Sequence, residues 1–104
     1  MSDQAPGVAT FLVTEHRDGQ AWDPALPLRG QSRFAEHATF MDTLVSEGFV
    51  VLGGPLADEF RVVLLVNAES ERAVRERIQR DPWIGSHLSI AGVERWTILL
   101  DGRQ

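Results

Sequence analysis

Six segments of regular hydrophobic pattern succeed one another in this chain, and their order constrains the fold more than any single residue does. Residues 8–14 (V-A-T-F-L-V-T) form a short run rich in β-branched and aromatic side chains, bounded by Gly7 and a charged turn. That composition predicts a buried strand. Residues 32–47 place Phe34, Ala38, Met41 and Val45 at helical spacing, with Leu44 beside them. Ser32 stands where an N-cap belongs and Gly48 where a helix ends. A second strand spans 49–52 and runs into Gly53-Gly54-Pro55, and a third spans 60–66. The short connection Ala57-Asp58-Glu59 makes the pair an antiparallel hairpin. Residues 70–80 predict a second helix, capped by Ser70, with Ala73, Val74 and Ile78 facing inward. Asp81-Pro82 ends it, because the residue before proline is driven out of the helical region. The last strand lies within 88–100, most clearly over 93–100, where Trp96 is expected in the core. The order β-α-β-β-α-β is that of ferredoxin-like α+β folds. It predicts a four-stranded antiparallel sheet with both helices on one face. The other face is then bare, and a partner sheet is its simplest cover.

At 104 residues the chain makes one domain, with a core over about 8–100 and tails at 1–7 and 101–104. A chain this small leaves exposed roughly a third or more of the surface of its unfolded state. A homodimer would complete the core. Ten basic against fifteen acidic residues give a net charge of −5, which argues against nucleic-acid binding. Arg72, Arg75, Arg77 and Arg80 do cluster, but interleaved with Glu69, Glu71 and Glu76 they describe a solvated helix face. The absence of cysteine excludes disulfides and thiolate catalysis. Residues 1–7 lack the features of a signal peptide, and no run approaches the ~18 apolar residues of a membrane span. The expectation is a soluble cytoplasmic protein with no membrane partner.

Between the first strand and the first helix, residues 15–30 form a long loop with Gly19, Pro24, Pro27 and Gly30. Trp22, Leu26 and Leu28 give it material to pack with, which predicts an ordered flap. The Trp22-Asp23 pair either closes over a ligand or simply starts a turn. His37 lies three residues after Phe34, four before Met41 and seven before Leu44, and so borders the apolar stripe of its helix. Two readings are open for it: a border histidine satisfied by a carbonyl or water, or a proton carrier working near neutral pH. Asp81 is a turn former, and the same turn would fix its carboxylate rigidly. Trp83 is a core residue or a pocket wall. Gly53, Gly54 and Pro55 end a strand and admit close backbone approach, and a glycine N–H there could meet an enolate-like oxygen. His16 and His87 form no i,i+4 pair with His37, so no metal is expected. Neither a phosphate loop nor a serine nucleophile elbow is present, and no cofactor is expected.

Trp22-Asp23-Pro24, Glu36-His37, Phe40-Met41-Asp42, the run 48–55 (G-F-V-V-L-G-G-P), Asp81-Pro82-Trp83 and Val93-Glu94-Arg95-Trp96 occur in one order on this framework. Together they resemble the YCII-related (YciI-like) family of the dimeric α+β barrel superfamily. The resemblance implies a homodimer whose two sheets face each other around a central cavity. It also implies a histidine–aspartate dyad, which maps to His37 and Asp81. Trp22, Arg29, Phe40, Gly54, Pro55 and Trp83 are then expected to contact a small-molecule substrate, and isomerase or lyase chemistry is the implied class. Some YciI-like proteins carry an arginine where this chain has Phe34. The contact with an anionic substrate would then pass to Arg29 or Arg33. The alternative is a non-catalytic dimeric module that binds a small ligand in the same cavity.

Overall fold

Period-two alternation in the first strand decides which face of the sheet is buried. In β1 (Ala9–His16), Ala9, Phe11, Val13 and Glu15 are all buried, and the intervening residues from Leu12 onward are less so. The computed structural model describes residues 8–103, so residues 1–7 and 104 of the expected tails lie outside the described residues. Three further strands follow: β2 (Val50–Pro55), β3 (Arg61–Ala68) and β4 (Ser89–Arg95). Helix α1 (Phe34–Ser46) lies between β1 and β2, and helix α2 (Glu71–Ile78) between β3 and β4. The sheet order is β2-β3-β1-β4, with every neighbouring pair antiparallel. This α+β arrangement is compatible with a ferredoxin-like fold.

The register places Val13 opposite Leu64 and Val93, and Phe11 opposite Val66, on one face of the sheet. Leu44 of α1 and Val74 and Ile78 of α2 close over that face. Each such buried side chain contributes about 1.5–3 kcal/mol. The opposite face aligns Leu12 with Leu65, and Leu65 with Leu52 of edge strand β2. Leu52 is 51% exposed.

Several boundaries differ from the sequence expectation, each for a local reason. The charged residues Glu15 and His16 continue β1, because both pair across it with β3 and β4. α1 starts at Phe34, and its N-cap is Arg33, held at φ 60° without a side-chain cap. Ser32 is not the cap, since its hydroxyl bonds His87 instead. Gly53 and Gly54 do not end β2 but continue its ladder to Pro55, which an edge strand tolerates. Gly53 has Leu64 so close that a Cβ would fall 2.4 Å from its Cδ2. Ser70 does cap α2, its Oγ accepting from Ala73 N at 3.1 Å. β4 is displaced to Ser89–Arg95, where its ladder with β1 ends at Phe11 opposite Arg95. Trp96 N donates to Thr10 O at 2.9 Å, and residues 97–100 continue outside any strand. Trp96 is therefore 46% exposed and is not the core residue expected.

Candidate functional site

Asp81 sits where α2 must stop. Pro82 cannot extend the helix, and the Asp81 carboxylate turns back to accept the Trp83 N–H at 2.9 Å. That turn aims the same carboxylate at α1, where His37 Nδ1 lies 2.9 Å from both Oδ1 and Oδ2. The turn-forming and histidine-holding roles of Asp81 thus coexist in one geometry. Facing a carboxylate, Nδ1 carries the hydrogen and donates it, which leaves Nε2 as the acceptor of the neutral ring. Asp81 is buried, whereas the His37 side chain keeps 15% exposure.

Trp83 joins the two halves of this cluster. Its ring is 1% exposed and lies flat against His37, with centroids 4.0 Å apart and planes 6° apart. On its other side His87 stacks at 4.6 Å and 17°. Trp83 Nε1 donates to Ser32 O at 2.9 Å, which locks the indole plane. Ser86 Oγ lies 3.2 Å from the Pro82 and Trp83 carbonyls and 2.9 Å from His87 Nδ1. If it donates to a carbonyl, it accepts from Nδ1, and Ser32 Oγ then donates to His87 Nε2 at 2.9 Å. His87 is held below the usual histidine range, first by burial and then by the charges of His37 and Arg33. The left-handed backbone at Arg33 lies immediately before this helix start, a strained conformation of the kind that occurs where surroundings dictate it.

The fold buries a further carboxyl that the sequence expectation does not include among the site residues. Glu15 ends the buried row of β1, is 2% exposed, and its Oε2 has no hydrogen-bond partner among the described residues. Burial pushes it up to about 8, with the Asp81 charge adding to the effect. Continuing the alternation Ala9, Phe11, Val13 by one step would have placed Glu15 inside. The charged run that follows hides this signal. His87 carries no periodic signal, because it lies in the turn segment before β4.

The remaining expected site residues are spread around this cluster. Trp22 packs edge-on against Trp83 at 5.8 Å, while the Arg17 guanidinium sits 4.4 Å from its ring. The loop carrying Trp22 is ordered by docking on the segment after Trp83: Gly19 N bonds His87 O and Ala21 N bonds Ser86 O. Gly19 is required there, since a Cβ would meet Ser86 O at 2.1 Å. Trp22 and Pro55 also line a cleft of about 690 Å³, together with Arg17, Leu26, Leu28 and Phe60. Neither His37 nor Asp81 lines it. Phe40 packs against the core. Gly54 is a ladder residue opposite Val63. Arg29 lies 5.7 Å above the Phe34 ring, which in turn approaches Trp83 at 6.1 Å. Arg33 is engaged by Glu36 at 2.9 Å.

Among the described residues, no group of three or more histidine or acidic side chains is gathered to hold a metal ion. Nor is any of their helices long and apolar enough to cross a membrane. No protein-family model, curated protein or solved structure matches the chain.

Proposed function

We propose that this chain is a small-molecule enzyme that moves a proton at carbon next to a carbonyl, in cofactor-independent isomerisation or elimination. The observation that carries this reading is the hold on His37, with Nδ1 2.9 Å from both oxygens of a buried carboxylate and its ring flat on Trp83. Nε2 takes the proton from carbon, and the electron pair passes to the carbonyl oxygen as an enolate. The imidazolium so formed is stabilised by the Asp81 charge and by the face of Trp83. It returns the proton to another carbon in isomerisation, or gives it to a departing group in elimination. A small cyclic or aromatic-derived carbonyl compound suits the aromatic surroundings of His37, where Trp22 and Phe34 pack around the buried Trp83. The resemblance to YciI-like proteins supports the same roles for His37 and Asp81. We read the assembly as a cytoplasmic homodimer, in which a second copy covers the sheet face that carries Leu12, Leu52, Val63 and Leu65.

Solvent-deuterium exchange into a panel of small cyclic ketones and lactones, followed by NMR, tests this reaction class across many candidate substrates at once. Exchange that is lost in His37→Ala while the thermal midpoint holds is the expected result. Loss of folding in that variant would make His37 structural. A second reading is favoured by the cleft, which no dyad residue lines. In it the protein binds a small ligand beside Trp22 without chemistry. Saturable binding with no exchange in any panel member would select it.

A further inference from the structure

Arg17 is far more buried than an arginine on a loop needs to be. Its side chain is 8% exposed, its backbone N–H donates to Phe60 O at 3.0 Å, and its guanidinium lies 4.4 Å from the Trp22 ring centroid. Nη1 donates to Glu59 O at 2.9 Å, with the Glu59 carboxylate 3.5 Å away. Glu59 presents that carbonyl from a left-handed backbone at φ 62°, which is uncommon for a glutamate. Nη1 stands on the Cδ side of the guanidinium, so the opposite edge, Nε with Nη2, is left over. That edge has no hydrogen-bond partner among the described residues. Nor is it sealed from solvent, since Glu15 Oε2 is the one buried side-chain polar atom among them that lacks a partner.

Arg17 lines the cleft of about 690 Å³ between the loop after β1 and the β2–β3 turn. Small-molecule sites fall in the range of ~300–1,000 Å³. Pro24, Pro27, Pro55 and Phe60 give it flat apolar walls, and Leu26, Leu28 and Phe60 stand exposed along it. Three carboxylates also line the cleft, each turned to another task. Asp58 accepts from Phe60 N, Arg61 N and Arg61 Nε at distances between 2.7 and 3.0 Å. Asp18 Oδ2 accepts from Ser89 Oγ at 3.0 Å, and the largely exposed Glu59 side chain stands on the Nη1 side of Arg17. We infer that this cleft binds a flat aromatic carboxylate, its two oxygens forked on Arg17 Nε and Nη2 and its rings against Phe60 and the prolines. Two parallel N–H bonds match a carboxylate better than a hydroxyl or a lone cation. The inference rests on the ligand-binding reading of the cleft and needs no chemistry at His37.

Calorimetric titration of the full chain with naphthoate, naphthylmethanol and inorganic phosphate tests this, together with nitrogen NMR of the Arg17 Nε–H group. Naphthoate should bind saturably, at least about tenfold more tightly than the alcohol or phosphate, and should shift the Arg17 Nε–H signal. Arg17→Lys keeps the charge and loses the fork, and should weaken naphthoate by about tenfold or more while the alcohol is unaffected. If the alcohol or phosphate binds as tightly as naphthoate, or Arg17→Lys binds naphthoate as the wild type does, the cleft still takes a ligand but carboxylate recognition is overturned. An unmoved Arg17 Nε–H signal in the wild type overturns it even if the variant does not fold. Saturation by none of the three probes overturns the ligand-binding reading as well. Exchange at His37 is read in a different assay, so its failure is distinguishable from each of these.

Discussion

Glu15→Gln should change how stability depends on pH, and the size of the change follows from burial. The Glu15 carboxyl titrates at about 8 in the folded chain against 4.5 unfolded, a raised value. Below 4.5 the group is neutral in both states and folding loses nothing. As pH rises towards 8 the unfolded chain ionises and the folded one does not, so stability falls by about 1.4 kcal/mol per pH unit. Over the whole interval the loss is on the order of 5 kcal/mol, a large part of the total stability of a small domain. His87 has the opposite sign. Its folded value lies below 6.5, so its contribution is present above 6.5 and is lost as pH falls. Between pH 6.5 and 8 the difference between wild type and Glu15→Gln reports on Glu15, with about 2 kcal/mol of decline expected there. Glutamine keeps the shape and cannot ionise. Urea denaturation at fixed protein concentration, in half-unit steps from pH 6.5 to 9, should show the wild type losing stability relative to Glu15→Gln up to about pH 8 and running parallel above it. Parallel curves throughout would refute the reasoning, because they would mean that Glu15 is already ionised in the folded protein.

The two tryptophans that frame the fold should behave oppositely. Trp83→Ala removes a fully buried ring that holds His37 and His87, and should cost about 3–5 kcal/mol in urea denaturation. Trp96→Ala, at a half-exposed position, should stay within about 1 kcal/mol of wild type. Under the proposed dimer, Leu52→Glu places a charge on the covered sheet face and should shift the mass read by light scattering from dimer to monomer, with a fall in thermal midpoint that follows the lost interface. An unchanged dimer mass would show that this face is not the interface.

The architecture is legible in the sequence because apolar periodicity and breakers agree. Phe11 and Val13, Leu64 and Val66, and Val74 and Ile78 fall at strand or helix spacing, and each group packs where its spacing points. Boundaries are less legible, since they depend on partners distant in sequence. Nothing local to residues 93–100 says that the ladder between β1 and β4 ends at Arg95, so the apolar pattern puts the strand several residues late and Trp96 in the core. Ser32 is a good capping residue by type. Its hydroxyl goes to His87, 55 positions away, and the helix start is left to Arg33 in a left-handed conformation.

The same distinction separates the legible part of the site from the rest. Asp81 is readable because its local task, turning the chain before Pro82, is also what aims its carboxylate at α1. Glu15 has no local task that requires a carboxyl, and strand β1 would pack better with valine there. A buried acid whose Oε2 has no hydrogen-bond partner among the described residues destabilises the fold once it ionises. Local stability would select an apolar residue at position 15, and the chain carries an acid there instead. That conflict explains why hydrophobic pattern alone passes over Glu15, and why its pH response, more than its contribution to packing, sets it apart from the rest of the buried row.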